Sequence, residues 1–267
     1  MGMLSEKLKS LVANNKKALV AYIVAGDPEP GATIPLMHRL VASGVDVIEL
    51  GVPFSDPEAE GPVIQLAHER ALAHNVSLSN CLEMAAEFRQ SDKETPIVLM
   101  GYLNPVEAMG YENFAVRAAK AGVNGTIIVN LPPEEAVGMS AFLEANDIEP
   151  VYLLAPTTTD ERAQMICRAS KGFVYYVSLK GTTGAGNLDI GDVTEKMDRF
   201  KKLSHLPIMV GFGVSDGPGA RAVAQVSDGA VVGSAIVKLM AEHKDDLKKL
   251  NDEVGQNGVL FPTREIK

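Results

Sequence analysis

VDVIELGVPFSDPEAEGP, Val45 to Pro62, begins as a strand and ends as an acidic loop. The two-residue period of a strand puts Val45, Val47 and Glu49 on one face, and Gly51 and Pro53 stop the run. A carboxylate on an apolar face is the first candidate for chemistry. No basic residue recurs on that face, so burial without a partner would raise the Glu49 pKa toward neutrality, as a general acid/base requires. The alternative is a carboxylate paired inside the core. Asp56, Glu58 and Glu60 follow between Pro53, Pro57 and Pro62 and, on texture alone, belong to a solvated loop.

Working outward, apolar runs that end near Gly, Pro or Asn recur along the chain. They are ALVAYIVAG from Ala18, then TPIVLMGYLNP, GTIIVNLPP, EPVYLLAP, FVYYVS, LPIMVGFG and GAVVGSA. Helix-like stretches lie between them, among them Ile34 to Ala42, Glu107 to Ala121, Pro133 to Ala145 and Thr194 to Leu203. Strands apolar on both faces, alternating with helices, predict a parallel sheet built from right-handed βαβ units. No GxGxxG opens the first helix, and about eight such units favour an α/β fold closed as a single (β/α)₈ TIM barrel over an open doubly wound sheet. Leu4, Leu8, Leu11 and Val12 predict an extra N-terminal helix, and one domain is expected over residues 1–267. Thr183 to Asp192, TGAGNLDIGD, lacks periodicity and suits a mobile lid.

The chain has 267 residues, 46% hydrophobic and 22% charged, which is ordinary for a soluble protein with a large core. A net charge of −9 argues against non-specific binding to nucleic acid or an anionic membrane, since both need a positive field. A local basic site for one phosphate is still open. Cys81 and Cys167 have no second ligand at metal spacing and read as buried reduced thiols of a cytoplasmic protein. The N-terminus lacks a continuous apolar run, so neither a signal peptide nor a membrane span is expected there.

Active sites of such barrels are built at the C-terminal ends of the strands. Glu49 and its loop, Tyr102 with Asn104, Asn130, Thr183 with Gly184, Gly211 to Gly213, and Gly233 with Ser234 all lie at or after predicted strand ends and should meet at one mouth. Glycines after strands seven and eight free backbone amides at a helix start, a natural cradle for a phosphate; the alternative for Gly233-Ser234 is a simple helix cap. Tyr22, Tyr102 and Tyr175 near strand ends are core packing or the wall of a pocket for a flat aromatic. His38, His68, His74, His205 and His243 follow no predicted strand, and none is assigned to catalysis.

VIELGVPFSDPEAEGPVIQ, MGYLNP, IVNLPPEE, KGTTGAGNLD, VGFGVS and VVGSAIV occur in this order across essentially the whole chain. Together they resemble the tryptophan synthase alpha subunit family. The resemblance implies a (β/α)₈ barrel that cleaves indole-3-glycerol phosphate to indole and glyceraldehyde 3-phosphate, a retro-aldol reaction with no cofactor in this chain. It also implies a pyridoxal-phosphate beta subunit as partner in an alpha2beta2 complex. Carried over by position, Glu49 is the acid/base, Glu60 the second catalytic acid and Thr183 the lid residue that closes against it. The indole pocket falls to Tyr22, Met100, Tyr102, Ile127, Val129 and Tyr175. Phosphate binding falls to Gly184, Gly213, Gly233 and Ser234. The partner surface lies around Pro53, Asp56, Asn104 and Pro132, within the segments Pro53 to Asp56, Asn104 to Met109 and Asn130 to Pro133.

Three positions depart from the family pattern. Glu60 stands where the family has aspartate in an ADGP sequence, Asn130 replaces an aspartate after strand four, and Thr182 stands where valine is common. Glu60 keeps the charge that would stabilise a cationic indole ring but carries it one methylene further out. The rival expectation is an alpha-type barrel that has lost its chemistry and only activates the beta subunit; intact Glu49 and the glycine set weigh against it.

Overall fold

Parallel pairing organises the molecule, whose computed structural model describes residues 2–178, 190–211, 214 and 217–256. The first half runs α1 (Met3–Ala13), β1 (Ala18–Val24), α2 (Thr33–Ala42), β2 (Val47–Gly51), α3 (Pro62–Ala73), α4 (Leu78–Phe88), β3 (Ile97–Gly101), α5 (Leu103–Met109), α6 (Tyr111–Lys120) and β4 (Gly125–Ile128). The second half runs α7 (Val137–Ala145), β5 (Glu149–Pro150), β6 (Leu153–Leu154), α8 (Asp160–Ala169), β7 (Val174–Val177), α9 (Ile190–Phe200), β8 (Ile208–Gly211), α10 (Gly217–Val226), β9 (Gly229–Val232), α11 (Ser234–Glu242) and α12 (Leu247–Gln256). Every residue of β1, β2, β3 and β4 is buried, as a sheet covered on both faces requires.

The strand order is β5-β4-β3-β2-β1-β9-β8-β7-β6. Its two ends are pieces of one segment. β5 pairs β4, β6 pairs β7, and between them Val151 N–H donates to Thr126 O while Tyr175 N–H donates to Tyr152 O. The fifth apolar run therefore contacts both neighbours and closes the ring as a TIM barrel, in agreement with the eight runs read from sequence.

The strand-entry end is sealed by satisfied polar contacts. Asp46, Asn124 and Asp228 each precede a strand and accept the backbone N–H of Leu19, Ile97 and Ile208, respectively, at 2.9–3.0 Å. α1 lies across this floor with Leu4 and Leu8 buried, and Glu149 accepts both the Ser5 N–H, at 3.0 Å, and the Ser5 hydroxyl. Both cysteines are free and buried, and burial pushes the Cys81 thiol up to about 12.

Three helices differ from expectation, and the simplest case is α7, which starts at Val137 and not at Pro133, because residues 133–136 form a turn. Glu107 to Ala121 is not one helix: Gly110, at φ 83°, separates α5 from α6, a conformation open to glycine and costly for other residues. The helix predicted over Thr194 to Leu203 starts earlier, at Ile190, and ends at Phe200, because Val193, Met197 and Phe200 continue a buried stripe begun by the partly buried Ile190. Ile190 to Asp192 thus belong to α9, although composition grouped them with the lid.

Candidate active site

Glu49 projects from the middle of β2, two residues before its C-terminal end, in register with Tyr22 on β1 and Val98 on β3. It is 1% exposed, and its Oε2 has no hydrogen-bond partner among the described residues. Burial pushes its carboxyl up to about 8, with the nearby Glu60 carboxylate adding to the rise. The unpartnered carboxylate anticipated from the strand pattern is therefore present in the fold.

Glu60 is the larger departure from the sequence texture. The loop after β2 folds back over the mouth, leaving Glu60 only 6% exposed, and desolvation raises its carboxyl to about 7. Backbone anchors hold it there. Ala59 N–H donates to Tyr102 Oη at 3.1 Å, Glu60 N–H donates to Pro57 O, and Gln65 Nε2 donates to Glu60 O at 2.8 Å. Phe54 stacks on Tyr102 with 5.2 Å between ring centroids, which braces the same loop. Asp56 and Glu58 stay exposed, as composition suggested.

One cavity brings the central candidates together. Tyr22, Glu49, Glu60, Met100, Tyr175, Gly233 and Ser234 line it, joined by Ile64, Val214 and Val231. The last three were not singled out from sequence; Ile64 sits on the buried stripe of α3 and could have been found from that spacing. Two glycines make room for the tyrosines. A Cβ at Gly51 would lie 2.6 Å from Tyr22 Oη, and one at Gly211 would lie 2.0 Å from Tyr175 Oη. Met100 closes the β3 side, and Gly233 precedes Ser234 at the start of α11, whose first backbone amides have no helical acceptors.

The remaining candidates are placed otherwise. Tyr102 is buried behind the loop and acts there as an acceptor, Ile127 is buried in β4, and Val129 is half-buried just after it; none of the three lines the cavity. Thr183, Gly184 and Gly213 lie outside the described residues, as does Thr182. At the rim Asp56 and Asn104 are exposed, Pro132 is half-buried and Pro53 is buried. Asn130 Oδ1 accepts the Leu103 N–H at 2.8 Å, so the amide still supports the first turn of α5. Among the described residues no group of three or more His, Cys, Asp or Glu side chains could hold a metal ion, and no helix is long and apolar enough to cross a membrane.

Comparison with known proteins decides the family: the family model described as "Tryptophan synthase alpha chain" matches residues 8–260. The chain belongs to the tryptophan synthase alpha chain family. The tryptophan synthase alpha chain of Marinobacter nauticus is 52% identical over 265 residues, covering 99% of this chain and 97% of that one. The crystal structure of tryptophan synthase subunit alpha from Legionella pneumophila superposes with a TM-score of 0.89 at 46% identity, over 96% of this chain and 95% of that one. A chain of tryptophan synthase from M. tuberculosis, in its aminoacrylate-bound form, matches with a TM-score of 0.85 at 35% identity, over 97% of this chain and all (100%) of that one. Membership in the tryptophan synthase alpha chain family gives this protein an alpha subunit's function, a lyase role in tryptophan synthesis.

Proposed function

We propose that this cavity cleaves indole-3-glycerol phosphate to indole and glyceraldehyde 3-phosphate, with Glu49 and Glu60 as its two acids. The observation that supports it most is the pairing of two buried carboxyls with raised pKa values on one largely apolar wall. At neutral pH Glu49 holds its proton and can give it to indole C3; the ring nitrogen then carries positive charge. The resulting Glu49 carboxylate takes the proton of the hydroxyl on the carbon bonded to C3. That carbon becomes the aldehyde carbon as its bond to C3 breaks and the electron pair restores the indole double bond. Ionised Glu60 stabilises the intermediate cation in a site shielded from water.

Tyr22, Met100 and Tyr175 suit the flat ring, with Ile64, Val214 and Val231 completing the apolar wall. Gly233 and Ser234 at the start of α11 suit the phosphate, with Gly184 and Gly213 assigned to the same anion by sequence position. Thr183 is assigned to lid closure on the same basis. The reaction needs no cofactor from this chain. Residues 1–267 are read as one domain of a cytoplasmic enzyme.

The partner is a tryptophan synthase beta subunit carrying pyridoxal phosphate, in an alpha2beta2 complex. Solved relatives include a tryptophan synthase complex from Pyrococcus furiosus, 34% identical to this chain over the matched part. The rim residues Pro53, Asp56, Asn104 and Pro132 are assigned to this contact, beside the loop that carries Glu60. The test is indole release from indole-3-glycerol phosphate with and without a beta subunit. Turnover that rises with the partner supports the reading; no indole under either condition overturns it and leaves the activator role.

A further inference from the structure

His68 is a buried titratable group beside the cavity that the reaction above does not use. It sits on α3, is 2% exposed, and touches two elements of the site at once. Its Nδ1 accepts the Phe54 N–H at 3.0 Å, and its Nε2 lies 3.3 Å from Tyr22 Oη. A backbone N–H can only donate, so Nδ1 must be bare. Burial holds the ring neutral, with its pKa lowered to about 4, so the single ring proton resides on Nε2. Nε2–H therefore donates to Tyr22 Oη, and the tyrosine's own proton must find its acceptor elsewhere. Tyr22 lines the cavity with Glu49 and Glu60, and the space beside its hydroxyl on the β2 side is closed by the Gly51 backbone.

We propose that His68 is a positioning residue: it fixes Tyr22 as a hydrogen-bond donor into the cavity and ties that donor to the loop that carries Glu60. The loop end of this link is Phe54, whose ring stacks on Tyr102, the acceptor of the Ala59 N–H next to Glu60. α3 is itself held to the turn after β1, because Arg70 Nε and Nη2 reach both carboxylate oxygens of the fully buried Asp27, at 2.6 and 3.0 Å. Tyr22, His68 and the Glu60 loop thus form one unit, with the donor direction set before substrate arrives. Cleavage of indole-3-glycerol phosphate, on which the kinetic part of this proposal rests, then depends on His68 although His68 touches no reacting atom.

The bland alternative is a histidine that merely satisfies the core, and two measurements separate the readings. Nitrogen-15 NMR of the histidine rings in the full-length protein at pH 7 is expected to show His68 neutral and protonated at Nε2, with the Nε2 signal moving in Tyr22→Phe. A ring protonated at Nδ1, or a charged ring, overturns the proposal, and neither result needs substrate or turnover. In steady-state cleavage with the beta subunit, His68→Leu is expected to lower kcat about tenfold with KM changed less, the scale of one oriented hydrogen bond. His68→Gln, which can accept at one atom and donate at the other, recovers most of that loss. In a Tyr22→Phe background the His68→Leu loss shrinks, because the two act through one hydroxyl. Equal losses in both backgrounds, or an unchanged kcat per folded His68→Leu molecule, overturn the positioning role. A wild-type protein that releases no indole sinks the lyase reading instead, and the NMR result still decides the direction of the Tyr22 proton.

Discussion

Glu49 and Glu149 are both buried glutamates, 1% and 4% exposed, and they sit at opposite ends of the barrel. At the floor, Glu149 is met by the Ser5 N–H and hydroxyl, so its burial ties α1 to the strand entries. At the mouth, Glu49 Oε2 meets no donor among the described residues, and Glu60 nearby raises its pKa further. Burial alone therefore does not mark a functional carboxylate. What marks it is burial without hydrogen-bond satisfaction, a state that costs folding free energy and leaves a proton to move at neutral pH.

Replacing each glutamate in turn sharpens the contrast. Glu49→Gln is expected to lower kcat for cleavage about 10³-fold, within the range for a positioned acid/base. A folded variant that kept a tenth of wild-type kcat would remove Glu49 from the chemistry. Glu60→Gln is expected to cost about 10²-fold, because it removes a preorganised charge rather than the proton carrier. In the wild type, kcat/KM should rise as Glu60 ionises near about 7 and fall as Glu49 loses its proton near about 8, giving a narrow bell. Glu60→Gln should erase the acid limb; an acid limb that survives assigns that ionisation to another group.

The floor responds in stability, not rate. Glu149→Ala leaves the Ser5 donors unmatched and should destabilise the fold by about 1–3 kcal/mol in urea titration, with kcat unchanged. An unmoved urea midpoint would detach Glu149 from the anchoring of α1. The smallest effect concerns pH. The folded-state pKa of Glu49 lies above its unfolded value, so the stability it contributes is full below about 4.5 and is lost as pH rises through about 8. Glu49→Gln should therefore gain thermal stability relative to wild type as pH goes from 5 to 9. A gap that stayed constant over that range would contradict the raised pKa.

How much of this was legible follows from where each contact originates. The eight strands and Glu49 could be read because a strand's period and its terminating glycine are local, and the barrel then places every strand end on one rim. Glu60 could not be read from texture. Its burial depends on Tyr102, 43 positions from Ala59, folding the loop inward, and only the family resemblance flagged it. His68 was passed over because it follows no strand. Its signal was helical instead: Ile64, Ala67, His68 and Ala71 form the i, i+3, i+4, i+7 stripe that turns inward on α3. Tyr102 was placed correctly at a strand end, but its side chain serves the loop, a choice made by packing that spacing does not encode.

Tyr175 and Gly211 carry a last consequence, for how this sequence can drift. The hydroxyl oxygen and two ring carbons of Tyr175 lie within 3 Å of where a Gly211 side chain would begin, the hydroxyl being the nearest at 2.0 Å. The two positions are therefore epistatic: alanine at 211 becomes acceptable only in a lineage that has already given up the tyrosine at 175. Tyr22 and Gly51 form a second such pair, the nearest approach being 2.6 Å. Aligned descendants of this protein should change each pair together, with the intermediate that holds both the tyrosine and a larger residue rare or missing.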